Sequence, residues 1–104
     1  MTVISVGSES DGNRLTSSAG GTVLMFTLAW SAADKKFATT YEELSNTHHS
    51  IQFAKVDVDT MSEWSAKENV NVTPTFLGFR EGQLVGRVTG SDREKLEALL
   101  AKLK

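Results

Sequence analysis

Residues 22–28 (TVLMFTL) form an almost continuous apolar segment, and this segment places the strongest constraint on the fold. The segment follows Gly20 and Gly21, and it is too short for an ordinary helix but typical of a strand. A strand with apolar residues on both faces is one that other elements cover on both faces. The sequence therefore predicts a central strand in a sheet that carries helices on both sides.

The remaining segments predict the elements around this strand. β-Branched or alternating residues predict further strands at 3–6, 51–58, 75–80 and 84–89. The last two strands form a hairpin across Glu81-Gly82-Gln83. A weak helix is predicted at 8–18, and helices with clearer signals are predicted at 32–46, 60–69 and 91–103. The expected fold class is α/β, with a five-stranded mixed sheet flanked by four helices in one domain, residues 1–104.

A hydroxyl residue and a carboxylate residue stand three positions apart at three of the predicted helix starts. The pairs are Ser31 with Asp34, Thr60 with Glu63, and Ser91 with Glu94. Such a pair is a capping box, in which the hydroxyl accepts from one free amide of the helix start and the carboxylate reaches back to another. Each cap stabilises its helix by roughly 0.5–2 kcal/mol. Helix capping is therefore the favoured interpretation of Ser31 and Asp34.

Composition and charge exclude several classes of function. The net charge is −2 and no basic stripe is present, so no nucleic-acid partner is expected. No apolar run approaches the roughly 18 residues of a spanning helix, so no membrane partner is expected either. The first ten residues lack the features of a signal peptide, which predicts a cytoplasmic protein, although a chain already freed of a targeting segment would look the same. The chain contains no cysteine, which excludes disulfides, thiolate nucleophiles and cysteine-based metal sites.

Residues 23–37 (VLMFTLAWSAADKKF) resemble the active-site region of thioredoxins, in which a buried strand leads into a Trp-Cys-Gly-Pro-Cys turn that opens a long helix. In this resemblance Trp30 keeps its place, and Ser31 and Asp34 stand at the two cysteine positions. Further landmarks follow in the same order, namely Lys55, Thr73-Pro74-Thr75, Gly82 and Gly90. The resemblance covers nearly the whole chain. It implies a thioredoxin fold in which Thr73-Pro74 forms a cis-proline loop that faces the turn.

The resemblance also implies what this chain lacks. Thiol–disulfide exchange requires a thiolate and a second, resolving thiol, and the hydroxyl of Ser31 is barely ionised near neutral pH. The buried aspartate of the family falls at Met25, and a tryptophan often found before the turn falls at Thr27. The site thus departs from the family in more than its cysteines. No redox catalysis is expected.

Other polar and aromatic residues have structural interpretations. His48 and His49 are the only histidines, and they lie at the far end of the second predicted helix, about 20 Å from Ser31. A hydrolytic triad with Ser31 is thereby excluded, no metal site is predicted, and both histidines are expected to be exposed. Lys55 and Asp57 are interpreted as an ion pair, and Trp64 as a packing residue.

Three functional hypotheses follow. The first is a redox-inactive thioredoxin-like protein acting as a protein-binding or adaptor module, without a cofactor. It would bind a protein or an extended peptide segment through Trp30, Ser31, Ala32, Thr73, Pro74 and Gly90. The second is a cysteine-free variant of a thioredoxin-type protein-disulfide reductase. The third is a thioredoxin-like module of a multidomain protein, such as a monothiol glutaredoxin.

Overall fold

The apolar segment becomes the central strand of a five-stranded sheet. A computed structural model describes residues 3–104 of the chain. Its strands are β1 (Ile4–Ser5), β2 (Gly21–Thr27), β3 (Ile51–Asp57), β4 (Thr75–Arg80) and β5 (Gln83–Thr89). They are ordered β1-β3-β2-β4-β5, so two strands lie on each side of β2. The predicted central position of this strand is confirmed.

The sheet is mixed, as predicted. β3 runs parallel to both β1 and β2, whereas β4 runs antiparallel to β2 and to β5. The helices are α1 (Glu9–Thr16), α2 (Ala32–Thr47), α3 (Ser62–Lys67) and α4 (Arg93–Leu103). Because β2 and β3 are parallel and adjacent, the turn after β2 and the loop after β3 meet at one edge of the sheet.

Helices cover both faces of the sheet. On one face, Phe37 and Tyr41 of α2 and Leu99 of α4 pack in one cluster with Val23 of β2. The Tyr41 hydroxyl is fully enclosed there and donates to the carbonyls of residues 23 and 54, and burial raises its pKa well above the ordinary value. On the opposite face, α1 and α3 cover a second cluster that contains Trp64. This arrangement satisfies the apolar residues on both faces of β2.

The predicted capping boxes of α3 and α4 are wrong. The N-cap of α3 is Met61, whose side chain makes no capping bond, and the hydroxyl of Thr60 donates to the carbonyl of Asp57 at 3.2 Å. The N-cap of α4 is Asp92, whose carboxylate accepts from the amide of Lys95 at 3.0 Å. The residue that caps α4 is thus one position beyond the predicted serine. A carboxylate there meets the free amides of the first turn directly.

Trp64 is a packing residue, as predicted. Its side chain is 4% exposed and its ring centroid lies 5.4 Å from that of Phe26. The ring reaches α1 at Gly12, where a Cβ atom would lie 2.1 Å from Cη2 of the indole. The close contact between α1 and α3 therefore depends on the absence of a side chain at Gly12.

Candidate functional site

The candidate site begins at the turn between β2 and α2. The amide of Ser31 donates to the carbonyl of Leu28 at 3.1 Å, which closes the turn. The hydroxyl of Ser31 accepts from the amide of Asp34 at 3.3 Å, so Ser31 is the N-cap of α2. This half of the predicted capping box is confirmed. The turn presents Trp30 and Ala32 to solvent, whereas Ser31 is half-buried.

The other half of the predicted box is wrong, because Asp34 does not reach back to the amide of Ser31. That amide already donates to Leu28. The carboxylate is 2% exposed, and its Oδ2 atom accepts from the amide of Leu28 at 2.8 Å and from Oγ1 of Thr27 at 3.1 Å. Asp34 therefore fastens the first turn of α2 to the end of β2 from inside the fold.

Trp30 is exposed to solvent, and its indole nitrogen donates a hydrogen bond to another loop. The side chain is 69% exposed, and Nε1 donates to Oδ2 of Asp59 at 2.7 Å. Asp59 follows β3 and is oriented by its own amide, which donates to Oδ1 of Asp57 at 2.9 Å. Sequence reasoning missed Asp59 as a partner of Trp30. The parallel pairing of β2 with β3 brings the loops of Trp30 and Asp59 to one edge of the sheet. This pairing is the signal from which the contact could have been predicted.

The loop before β4 lies at the same edge as this turn. Thr75, the first residue of β4, is paired with Phe26 near the end of β2. The Thr73–Pro74 peptide bond is cis, as the family resemblance implies. The carbonyl of Pro74 accepts from the amide of Gly90 at 2.8 Å, and Gly90 has a φ of +89°, which glycine adopts without strain.

The residues predicted for binding differ in their accessibility. Pro74 is buried, so its ring is not an exposed contact, and Thr73 and Gly90 are half-buried. Val72 was not predicted, yet it is 52% exposed beside Thr73 in the chain. Direct contacts join Pro74 to Gly90, and strand pairing places both at the edge of the Trp30 turn. That these residues bind a ligand stays a prediction.

The two histidines lie at the other end of α2, away from the turn. His49 is exposed, as expected. His48 is half-buried against Phe53, with a distance of 6.4 Å between ring centroids, so its predicted exposure is wrong. Burial, and next the charge of Lys104, lower the pKa of His48 from its usual value. Within residues 3–104, no group of three acidic, histidine or cysteine side chains is arranged to hold a metal ion.

Lys55 and Asp57 are not the predicted ion pair. Lys55 is exposed, and no ion pair within residues 3–104 joins it to Asp57. Asp57 instead accepts from the amide of Asp59. The chain turns directly after β3, which brings the amide of Asp59 within hydrogen-bond distance of Asp57.

Comparison with known proteins assigns the family. The family model described as Thioredoxin matches residues 3–103. The chain belongs to the thioredoxin family. It is similar to "Thioredoxin 1" of Plasmodium falciparum, with 36% identity over 80 residues that cover 77% of each protein. It is also similar to the TPR repeat-containing thioredoxin TDX of Arabidopsis thaliana, with 32% identity over 77% of this chain but only 21% of that protein.

Solved structures confirm the thioredoxin fold. The solution structure of oxidised thioredoxin from Plasmodium falciparum has a TM-score of 0.87 and 34% identity, and the match covers 97% of both chains. Within the described part of the chain, no helix combines the length and the apolar content needed to cross a membrane. The cytoplasmic location stays a prediction.

The predicted function of a redox-inactive binding or adaptor module is wrong in light of these relatives. They are named thioredoxins, which are redox proteins, and they include the Plasmodium falciparum and Bos taurus thioredoxins. Without cysteines the chain has no thiol for thiol–disulfide exchange. The absence of cysteines is not, however, evidence for an adaptor.

Proposed function

We propose that the chain is a cysteine-free form of a thioredoxin-type protein-disulfide reductase, in which Ser31 and Asp34 stand at the positions of the dithiol. The surface around Trp30 and Thr73 is the one with which such a reductase would recognise a polypeptide substrate before exchange. Exchange needs a thiolate to attack sulfur and a second thiol to resolve the mixed disulfide, and the chain contains no cysteine.

One observation carries the proposal: the turn at Trp30 and Ser31 lies at the same sheet edge as the loop of Thr73 and Pro74. Within residues 3–104, neither backbone group of Thr73 takes part in a hydrogen bond. A free amide and a free carbonyl directly before a strand can pair with an extended polypeptide as a neighbouring strand would. The substrate is therefore proposed to be an extended protein segment, with neither nucleic acid nor membrane involved.

Side chains around Thr73 suit such a segment. Trp30 is 69% exposed and Val72 is 52% exposed, so each offers apolar area to a partner. The hydrogen bond from Trp30 to Asp59 holds the indole in one orientation, which lowers the entropy lost on binding. An exposed aromatic side chain held in this way is a common source of binding energy.

Position 31 also suits a nucleophile. Ser31 caps α2, and the positive end of a helix stabilises a thiolate at this place. An alcohol gains too little from this field to ionise near neutral pH. We therefore expect a cysteine in place of Ser31 to be reactive with the backbone left as it is.

The first prediction concerns activity in the insulin-reduction assay. With dithiothreitol supplied as the reductant, we expect no turnover above the dithiothreitol background for the natural chain, and weak but measurable turnover for Ser31→Cys/Asp34→Cys, because a thiol pair is restored that dithiothreitol can return to the reduced form. Adding Met25→Asp is expected to raise the rate further, since the acid of the family assists proton transfer. Robust turnover by the natural chain, or none by a folded double variant, would contradict the proposal.

A second prediction tests recognition with Asp34 kept in place. In Ser31→Cys, the thiolate attacks the peptide sulfur of an extended peptide that carries a thionitrobenzoate disulfide, forming a mixed disulfide and releasing thionitrobenzoate, which is read by absorbance. Trp30→Ala in this background is expected to slow the second-order rate about tenfold through lost contact area.

The matched control is Val85→Ala, which removes another exposed apolar side chain, on β5 away from the turn. It is expected to leave the rate unchanged. Equal rates for the Trp30 and Val85 variants would show that the proposed face is not the one used, whatever the outcome of the insulin assay.

A further inference from the structure

β5 is an edge strand whose outer side is unpaired. It lies last in the strand order, and within residues 3–104 it pairs with β4 alone. The strand is seven residues long, and its side chains Leu84 and Val85 are 52% and 37% exposed. The backbone amides and carbonyls on the outer side of such a strand can pair with a further extended chain. The sheet can therefore be extended by one strand at this edge.

A groove of 200 Å³ lies beside this edge, between β5 and α4. Val88 and Leu99 line it and are both buried, so they form an apolar floor. Leu99 lies directly over Gly86, where a Cβ atom would come within 2.7 Å of its Cδ1 atom. The groove is smaller than the roughly 300–1,000 Å³ of small-molecule sites. Its size therefore suits one apolar side chain of a longer segment rather than a complete ligand.

The rim of the groove is positively charged. Lys95 and Lys102 line it and are exposed, and neither takes part in an ion pair of the described residues. Arg87 also lines the groove, but its guanidinium donates to the carbonyls of Glu68 and Asn69 at the end of α3. The chain as a whole has a net charge of −2, so the positive rim is a local feature. Charge complementarity therefore favours an acidic partner at this groove.

We propose that the groove and the free edge of β5 bind an acidic extended protein segment, which adds to the sheet as a sixth strand. The segment places one apolar side chain in the groove and a carboxylate two positions away on either side. All three side chains then share one face of the added strand, and the carboxylates are about 13 Å apart along it.

The two lysines match this spacing. Lys95 and Lys102 are seven residues apart on α4, which corresponds to about 10.5 Å along the helix. Because lysine side chains are long and flexible, each ammonium group can reach one carboxylate. The partner is thus an extended segment of the pattern acidic–x–apolar–x–acidic. Neither Trp30 nor Thr73 lines the groove, so this site is independent of the proposed function.

The test uses the acetylated and amidated peptide Thr-Glu-Thr-Leu-Thr-Glu-Thr. In one control peptide glutamine replaces both glutamates, and in another serine replaces the leucine. Each peptide is titrated into the full chain, and binding is followed by NMR at the backbone amides of β5 and α4. We expect each control to bind at least about fivefold more weakly, because it loses two ion pairs or the apolar contact. Equal binding of all three peptides, or no binding of the first, overturns the proposal.

Amide hydrogen exchange tests whether the segment adds as a strand. The outward-facing amides of β5 are expected to exchange at least about tenfold more slowly in the complex, because they then donate to carbonyls of the peptide. Binding that leaves every amide of β5 as exchangeable as before overturns the proposal. Shifts confined to the surroundings of Trp30 and Thr73 also overturn it, because they place the peptide on the face of the proposed function.

Two double variants test the rim. Lys95→Gln/Lys102→Gln is expected to weaken binding of the acidic peptide about fivefold and to leave the glutamine peptide unchanged. The matched control is Lys35→Gln/Lys36→Gln, which removes two exposed lysines of α2 and is expected to change the binding of neither peptide. Unchanged binding of the acidic peptide in the first variant overturns the proposal. Equal losses in both variants overturn it as well, because they show attraction to the overall charge alone.

Discussion

Gly21→Ala is expected to lower the free energy of unfolding by about 3 kcal/mol, as overpacking against an unyielding neighbour does at its upper range. A Cβ atom at Gly21 would lie 2.1 Å from the backbone carbonyl oxygen of Leu103 and 2.9 Å from its Cβ. Because the first contact is with backbone, no rotamer change relieves it. The last turn of α4 must move, and Leu103, which is 1% exposed, then loses its packing.

The measurement is urea unfolding of the natural chain and of two glycine variants. Gly7→Ala is the matched control, since a Cβ at Gly7 meets nothing closer than 3.5 Å, at a side-chain oxygen of Asp11. We expect a change of no more than about 0.5 kcal/mol for the control. A midpoint for Gly21→Ala close to that of Gly7→Ala would show that the end of α4 can be displaced without cost.

The parts of the fold that were predictable are those specified by local patterns. The apolar residues at 22–28 required cover on both faces, and β2 is indeed the central strand. Phe37, Tyr41 and Leu44 recur at spacings of four and three within the helix predicted at 32–46, which is the spacing of one helix face, and all three are buried in the cluster shared with α4. Predictions from these patterns succeed because burial of the apolar face contributes most of the stability of a helix or strand. The cis Thr73–Pro74 bond came from the family resemblance instead.

The candidate site was predictable only in part, because its hydrogen bonds are decided by competition among nearby donors. Asp34 was expected to turn back to Ser31, but the amide of Ser31 is taken by Leu28. The carboxylate of Asp34 accepts from the amide of Leu28 instead, and Asp34 is buried in this position. Single-sequence patterns identify an acceptor near a helix start without showing which of several amides remains free.

Contacts between distant loops were missed for a different reason. The bond between Trp30 and Asp59 joins two loops that are adjacent only after β2 and β3 have paired. The burial of His48 against Phe53 likewise depends on how the chain leaves α2. Neither residue type nor spacing carries this information.

Close approaches through glycine are equally invisible in the sequence. The φ angles of Gly12 and Gly21 are not among the positive values of the chain, so no turn requires glycine at either position. Their role appears only when α1 meets Trp64 and when β2 meets the end of α4. In both cases the absence of a side chain allows two elements to pack more closely than a Cβ would permit.

Gly12→Ala is therefore expected to destabilise the protein by about 2–3 kcal/mol, although alanine is the better helix former. The substitution gains about 1 kcal/mol of helix propensity in α1. It also places a Cβ within 2.9 Å of three ring atoms of Trp64, which is packed on Phe26 and has little room to move. Displacing a buried tryptophan costs about 3–5 kcal/mol if its packing is lost, so the loss exceeds the gain.

A double-mutant cycle with Trp64→Leu separates these two effects in urea unfolding. Leucine lacks the ring atoms that meet position 12, so in this background Gly12→Ala is expected to be neutral or stabilising by up to about 1 kcal/mol. The change of sign between the two backgrounds is the diagnostic result. If Gly12→Ala destabilises both backgrounds equally, the indole ring is not what excludes a side chain from α1.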